Sequence, residues 1–284
     1  MKDYLLYYLL LGLETTKGGL KCMTVESKIF SLASMKLRKL SIDDNFDKEI
    51  LERRSRTFDA DNSDEFFYEI LVRDIFGGGM KASLIRMKLP FIKKAFANFN
   101  IEQVSTYNEN DLNRMLMNPN IIHNRRRLVD CIQNAKEMKK KSNEHGSFGN
   151  FLKQYVDDTN ELSLRLKLLF GSVGQIIALN FLKDIGVDTI KPDVHILRVL
   201  HRLGFLNSEK PTKINIQKTM LLAEKMKLSP SEKLSVVDAV LWMYGGGGDG
   251  HVRKAICNKN NPFCDECPLT SYCRYFEKKE EQNL

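Results

Sequence analysis

The stretch LLFGSVGQIIALNFLKDIG (residues 168–186), followed after a short gap by KPDVHILRVLHRLGF (residues 191–205), decides how the chain folds. Apolar residues recur at helical spacing on both sides of Gly171-Ser172-Val173-Gly174, and again on both sides of Asp184-Ile185-Gly186. The pattern predicts a helix, a tight glycine turn, a second helix and then a third. A Gly-x-Val-Gly turn leaves backbone N–H groups free at a helix N-terminus, where they can hold an anion; an ordinary helix–helix turn is the competing reading. Asp193 follows Pro192 and precedes Val194, Ile196, Leu197, Val199, Leu200 and Leu203, which predicts an N-cap.

The same period extends outward. From Asp64 the apolar residues Phe67, Ile70 and Leu71 recur as on one helix face, ending at Gly77-Gly78-Gly79. Further short helices are predicted around Leu84 to Phe99 and Leu112 to Leu116, with a basic helix from Asn124 to Lys141. Ser229-Pro230-Ser231-Glu232 has the composition of a helix start, opening a last helix that runs to Tyr244. No run of alternating strands is evident. The chain reads as all-α.

The chain has 284 residues, a formal net charge of +8 and a pI near 9.0, long enough for one large domain or two intimate ones. Such a basic balance suits a polyanionic partner better than cationic or neutral metabolites. The apolar run from Tyr4 to Leu13 is shorter than the roughly 20 residues a membrane span takes, and its flanks do not read as a signal peptide. No membrane association is expected. Residues 1–22 read as an extra docking helix or as sequence ahead of the true start.

Six cysteines in a chain this long do not read as a secreted disulfide framework, so a reducing compartment is expected. Four of them fall in CNKNNPFCDECPLTSYC: Cys257, six residues, Cys264, two residues, Cys267, five residues, Cys273. A structural zinc site usually uses two Cys-x2-Cys knuckles, and only one is present. Four thiolates from a single compact loop suit a [4Fe–4S] cluster, with zinc the alternative. Cys22 and Cys131 are expected to be ordinary buried thiols, Trp242 a core residue, and His195 and His201 surface or packed residues.

The cysteine spacing, the Cys-Pro-Leu at its third member and the aromatic-rich tail resemble the iron–sulfur loop of the endonuclease III family of helix-hairpin-helix DNA glycosylases. Residues 168–186 resemble that superfamily's hairpin, and residues 191–205 its aspartate-bearing helix. The middle of the chain, with MNPNIIHNRRRLVDCIQNAKEM and HGSFGNFL and more loosely FFYEILVRDIFGGGMKASLIR, resembles bacterial 3-methyladenine DNA glycosylase I. The resemblance implies a helix-hairpin-helix DNA glycosylase fold with two helical lobes, a cleft between them and a C-terminal iron–sulfur loop. The implied division is residues 23–63 packing with a C-terminal lobe of residues 188–284, and a helical barrel of residues 64–187.

It further implies a cytoplasmic, prokaryote-like and monomeric base-excision-repair enzyme that acts on double-stranded DNA carrying a damaged or mismatched base. Asp193 is the expected catalytic residue, because an ionised carboxylate at a helix N-terminus suits a reaction that builds positive charge on a sugar. Gly171, Val173, Gly174, Gln175, Lys81 and Arg126 are the expected DNA contacts. Met80 and Asp74 are the expected base-pocket residues, Asp74 by its match to an acidic pocket residue of glycosylase I. The family's hairpin lysine is replaced here by Ile176, so release of the base without strand cleavage is expected; Lys191 lies close in sequence to Asp193, and Pro192 is expected to hold it away. The alternatives are a bifunctional glycosylase/lyase, a redox protein built on the cluster and a non-catalytic iron–sulfur DNA-binding protein.

Overall fold

A computed structural model describes residues 23–247 and 250–282. The chain runs α1 (Val25–Lys39), α2 (Asn45–Ser55), α3 (Asp64–Gly77), α4 (Ala82–Ala95), α5 (Ile101–Val104), α6 (Glu109–Met117) and α7 (Arg125–His145). It continues through α8 (Phe148–Lys153), α9 (Thr159–Leu169), α10 (Gln175–Asp184), α11 (Val194–Arg202), α12 (Lys213–Met226), α13 (Leu234–Gly246) and α14 (Arg274–Gln282). Among the described residues the only β-pairing is a single bridge between Ser41 and Val252. Residues 1–22, with Cys22, lie outside the described residues.

Local chemistry starts these helices where the periodicity demands. Ser63 Oγ accepts from the Phe66 amide at 3.2 Å, and Asn108 and Asp111 form a reciprocal capping box on α6. One expectation fails. Ser229-Pro230-Ser231-Glu232 does not open the helix that runs through Tyr244: α13 begins at Leu234 after Lys233, and a further helix, α14, follows it. The Glu232 carboxylate is taken instead by Arg54, at 3.1 and 3.0 Å, so it is not available to cap a helix.

Two apolar cores form. The first gathers residues between Phe67 and Val187, with α3 as its spine: Phe67, Tyr68, Leu71, Val72 and Ile75 are essentially inaccessible. The Tyr68 hydroxyl donates to the Cys131 carbonyl at 2.8 Å, satisfying a polar tip that would otherwise be costly to bury. The second core joins Phe30, Ala33 and Leu37 of α1 with α11 and with Val237, Val240, Leu241 and Tyr244 of α13. The N-terminal helices therefore complete a core that the C-terminal half begins. At roughly 1.5–3 kcal/mol per buried large apolar side chain, this packing is the main force placing α11 where the chain crosses from one core to the other.

The crossing is close-packed. Gly186 has φ +96°, and a Cβ there would lie 2.3 Å from the Thr57 carbonyl carbon, so only glycine fits. Beside it, buried Lys183 donates to buried Asp238 at 2.9 Å, tying α10 to α13.

Candidate active site

The turn between α9 and α10 is built by its neighbours. Ser172 takes φ +57°, unusual for a residue with a side chain, and its hydroxyl donates to Asp130 Oδ2 at 2.5 Å. The Asn134 side chain brackets Gly171, donating to its carbonyl at 3.0 Å and accepting from its amide at 2.8 Å. A Cβ on Gly171 would meet Asp130 Cγ at 2.8 Å, so the close approach requires glycine. Asp130 and Asn134 of α7 thus strap the hairpin down.

Val173 is buried beneath the turn, while Gly171 and Gly174 face outward. Gly174 N-caps α10 with no side chain engaging the first amides, and a Cβ there would meet nothing within 4 Å. The helix N-terminus is open to solvent and carries the positive end of the dipole. Gln175 turns back, its Nε2 3.2 Å from both Asn160 Oδ1 and Ser163 Oγ, and so braces α9.

Asp193 sits at the N-cap of α11. Its Oδ1 accepts from the His195 amide at 2.9 Å and the Ile196 amide at 3.2 Å. That leaves Oδ2, and Lys191 Nζ lies 3.8 Å from it. Pro192 is buried and does not keep the lysine away: the Asp193 amide donates to the Lys191 carbonyl at 2.7 Å, folding the segment back on itself. The Lys191 amide donates to Asp238 Oδ1 at 2.7 Å, so the buried Lys183–Asp238 pair also anchors this loop.

Asp74 lies within α3, its side chain 4% exposed. Oδ1 accepts from Arg73 at 3.2 and 3.1 Å, but Oδ2 is buried with no hydrogen-bond partner. Burial and the nearby Asp184 carboxylate push its pKa up to about 7, against the opposing charges of Arg73 and Lys191. Asp184, which Arg73 also bonds at 2.5 Å, stays below the usual carboxylate range: burial would raise it, but the surrounding lysine and arginines outweigh that cost. Asp74 and Asp193 thus belong to different cores, and the Lys191 ammonium is close to Asp193 and felt by Asp74.

Met80 is half-buried against the first core, and Lys81 N-caps α4 and is exposed. The glycine loop before them is braced by Arg127, which donates to the carbonyls of Phe76 at 3.1 Å and Gly78 at 2.7 Å. Arg126 points to solvent, its side chain 85% exposed and its nearest carboxylate, Asp130, 3.7 Å away. Of the three consecutive arginines, Arg126 is the most exposed and the most loosely held, since Arg125 pairs with Glu109 at 2.6 Å and Arg127 bonds the loop carbonyls.

Cys257, Cys264, Cys267 and Cys273 all line one cavity. Among the described residues no three His, Cys, Asp or Glu side chains converge as a single metal ion needs. Polar groups capable of donating lie at two of the sulfurs: Arg202 Nη1 donates to Cys257 Sγ at 3.4 Å, and the Tyr244 hydroxyl shares a hydrogen bond with Cys267 Sγ at 3.0 Å. An all-thiol set with adjacent hydrogen-bond donors fits an anionic iron–sulfur cluster. Arg198 and Arg202 also bond the carbonyls of Cys257 at 3.2 Å and Asn258 at 2.7 Å, fastening the loop to the helix that Asp193 caps.

Sequence reasoning missed Asp130, Asn134 and Asp238. Each is an acid or amide inside an apolar period, a signal too common to single out before the partner helix is in place.

The two-core helical arrangement with its hairpin is the fold seen in solved endonuclease III structures. An endonuclease III trapped as a covalent intermediate with DNA aligns with a TM-score of 0.57 at 17% identity, over 91% of this chain and 100% of that one. A non-covalent endonuclease III–DNA complex gives 0.52 at the same identity and coverage. In sequence, the methyladenine glycosylase family pattern matches residues 58–168. Endonuclease III of Bacillus subtilis (strain 168) is 32% identical over 99 residues, 35% of this chain and 39% of that protein. Endonuclease III of Rickettsia felis is 27% identical over 91 residues, 32% of this chain and 36% of that protein. The matched stretch is thus under two fifths of either relative. No helix among the described residues is long and apolar enough to cross a membrane.

Proposed function

We propose that the chain is a monofunctional DNA glycosylase of base excision repair, hydrolysing the N-glycosidic bond of a damaged or mismatched base flipped out of duplex DNA. The observation that carries this reading is Asp193, held at the N-terminus of α11 by two backbone amides through Oδ1, with Oδ2 left for chemistry. Two amide hydrogen bonds and the helix dipole favour the carboxylate anion, which stabilises an oxocarbenium-like sugar and orients a water for attack. Two positions after Gly174, where the resembled family carries its lysine, stands Ile176, which has no nucleophilic atom.

The open N-terminus of α10, with Gly171 and Gly174 exposed, suits a backbone phosphate, and Arg126 and Lys81 suit its neighbours. A stacked base cannot reach Asp193, so the nucleotide must be extruded. Asp74 then belongs to the base pocket: its unpartnered Oδ2 is a polar group waiting for a ligand donor, and an alkylated, cationic purine is the class it favours. Cys257, Cys264, Cys267 and Cys273 would hold a [4Fe–4S] cluster, whose place here is structural: its bonds fix a loop that has little core of its own. The substrate is duplex DNA and the working form a cytoplasmic monomer.

The test is a panel of duplexes carrying alkylated, deaminated and oxidised bases, assayed for free base with wild type and Asp193→Asn. Asparagine caps a helix about as well as aspartate, so the variant should fold and bind while turnover drops by about 10³-fold or more. Equal turnover in both proteins, or no base released from any duplex, overturns the assignment.

A further inference from the structure

We infer that Arg73 and Asp184 are specificity-determining residues: from the protein side of Asp74 they decide whether it meets a base as a hydrogen-bond donor to an uncharged ring or as an anion for a cationic one. This rests on the reading of Asp74 as a pocket residue. Three observations carry it. Arg73 is shared, its Nη2 donating to Asp74 Oδ1 at 3.1 Å and to Asp184 Oδ2 at 2.5 Å, so one guanidinium serves carboxylates from two helices. Both of its bonds to Asp74, the other from Nε at 3.2 Å, end on the same oxygen, and Oδ2 stays buried without a hydrogen-bond partner. Asp184 holds the shorter bond to Arg73 and has cations of its own, with Lys183 Nζ 3.9 Å from Oδ1 and Arg53 and Arg56 close enough to be felt.

The charges around this spot come from several elements. Arg73 stands beside Asp74 on α3, Asp184 is brought by α10 and Lys191 by the loop before α11. Behind Asp184 lie Arg53 of α2, itself paired with Glu49 at 2.7 Å, and Arg56 just after that helix. Lys183 is held by Asp238 of α13 at 2.9 Å. Arg127 of α7 is committed to the carbonyls of Phe76 and Gly78.

With Nη2 drawn to Asp184, the guanidinium does not fork across both oxygens of Asp74, the arrangement in which an arginine neutralises a carboxylate best. Asp74 therefore keeps its proton to a higher pH. Burial is the largest cause and the Asp184 charge the next, while Arg73 and Lys191 oppose them, leaving the midpoint at about 7. Below it, Oδ2–H is a donor for a lone pair on an uncharged ring. Above it, the carboxylate has nothing to offer such a lone pair and attracts a cation instead.

Removing either partner moves this balance in a definite direction. Without the Asp184 charge, Arg73 can fork onto Asp74, which then ionises at lower pH. Without Arg73, Asp74 loses its nearest cation while Asp184 keeps Lys183, Arg53 and Arg56, and ionisation of Asp74 moves to higher pH. Residues that only supported the fold would not push the midpoint in opposite directions.

Carboxyl-carbon NMR of the free protein reads the Asp74 midpoint without DNA, the signal being assigned by its loss in Asp74→Asn. Asp184→Asn should lower that midpoint and Arg73→Gln should raise it, each by about 1 pH unit or more. Binding is then measured in an Asp193→Asn background, which keeps the base attached. The probes are a duplex carrying a permanently cationic N-alkylpurine and the same duplex carrying its uncharged deaza isostere. The ratio of the two affinities should climb with pH through the Asp74 midpoint of each protein, earlier in Asp184→Asn and later in Arg73→Gln. A midpoint unmoved in Asp184→Asn, which keeps the side-chain shape, overturns the inference even where Arg73→Gln does not fold, and it leaves the pocket reading standing. An affinity ratio that ignores pH while the midpoints move removes Asp74 from the pocket, and the inference falls with that reading.

Discussion

Lys183 and Asp238 form a buried ion pair, Nζ to Oδ2 2.9 Å, with side chains 7% and 4% exposed, and the second Asp238 oxygen accepts the Lys191 amide. One carboxylate therefore joins α10 to α13 and holds the loop that leads into Asp193. Stability and site geometry meet at Asp238.

Replacing Asp238 with leucine should destabilise the fold by about 3–5 kcal/mol in urea unfolding, because it leaves a buried ammonium with only the more distant Asp184 carboxylate, 3.9 Å away. Adding Lys183→Met should recover much of that loss, since a buried pair is replaced by apolar packing. Base release should not recover with it: the Lys191 amide still lacks its acceptor. Recovery of both together would mean that Asp238 serves the fold and not the loop.

The helices and the hairpin were legible because each is a local signal: the 3.6-residue period, the glycines at 171 and 174, and Asp193 ahead of an apolar run. What the sequence could not give depends on distant partners. Asp74 reads equally well as a solvent-facing carboxylate until Arg73, Asp184 and the first core enclose it. Lys191 looked excluded by Pro192, yet the turn closes between Lys191 and Asp193 and brings the side chains together. Glu232 looked like a capping residue until Arg54, nearly 180 positions earlier, claimed it. Buried polar groups are placed by partners far along the chain, and spacing does not encode those partners.

Gly171 and Gly174 should respond differently to alanine. At Gly171 the new methyl meets Asp130 at 2.8 Å, so the strap between α7 and the hairpin must shift and thermal stability should fall. At Gly174 the space is open and φ is −80°, so stability should change by less than about 0.5 kcal/mol. Its methyl would nonetheless stand between the α10 amides and a phosphate, and affinity for duplex DNA should drop. Unaltered DNA affinity in Gly174→Ala would argue that the hairpin does not contact the backbone.

Arg126→Ala should weaken binding to all duplexes alike and reduce the slope of log affinity against log salt by about 1, as one lost phosphate contact does. The measurement is a salt titration on damaged and undamaged duplex. A changed lesion preference at constant slope would assign Arg126 to base reading instead.

Protein prepared without oxygen should be yellow-brown, with about four irons per chain and a broad band toward the blue that bleaches on oxidative damage, because thiolate-to-iron charge transfer absorbs there and zinc is colourless. Cys264→Ser should lower folded yield more than it lowers the turnover of what folds, since the loop is fastened to α11 through Arg198 and Arg202. Colourless active protein with one zinc per chain would exclude the cluster.

Asp74 should make both stability and recognition depend on pH near neutrality. Its folded pKa is raised to about 7 by burial and by Asp184, whereas in the unfolded chain the carboxyl titrates near its ordinary value of 3.8. Between those values the folded state holds a proton that the unfolded state has released, so this group makes stability fall as pH rises from about 4 to about 7 and then level off. Asp74→Asn, which keeps the shape and removes the titration, should flatten that part of the curve and leave the protein more stable than wild type at pH 8. Recognition should run the other way. Oδ2 has no partner in the folded chain, and ionisation above about 7 turns it into an anion able to attract a cationic base, so affinity for an alkylated purine should climb as pH passes that value and stay flat in Asp74→Asn. The wild-type ratio of affinity at pH 8 to affinity at pH 6 is the deciding number: a value near one, shared with the asparagine variant, would take Asp74 out of the pocket and leave it a buried structural carboxyl.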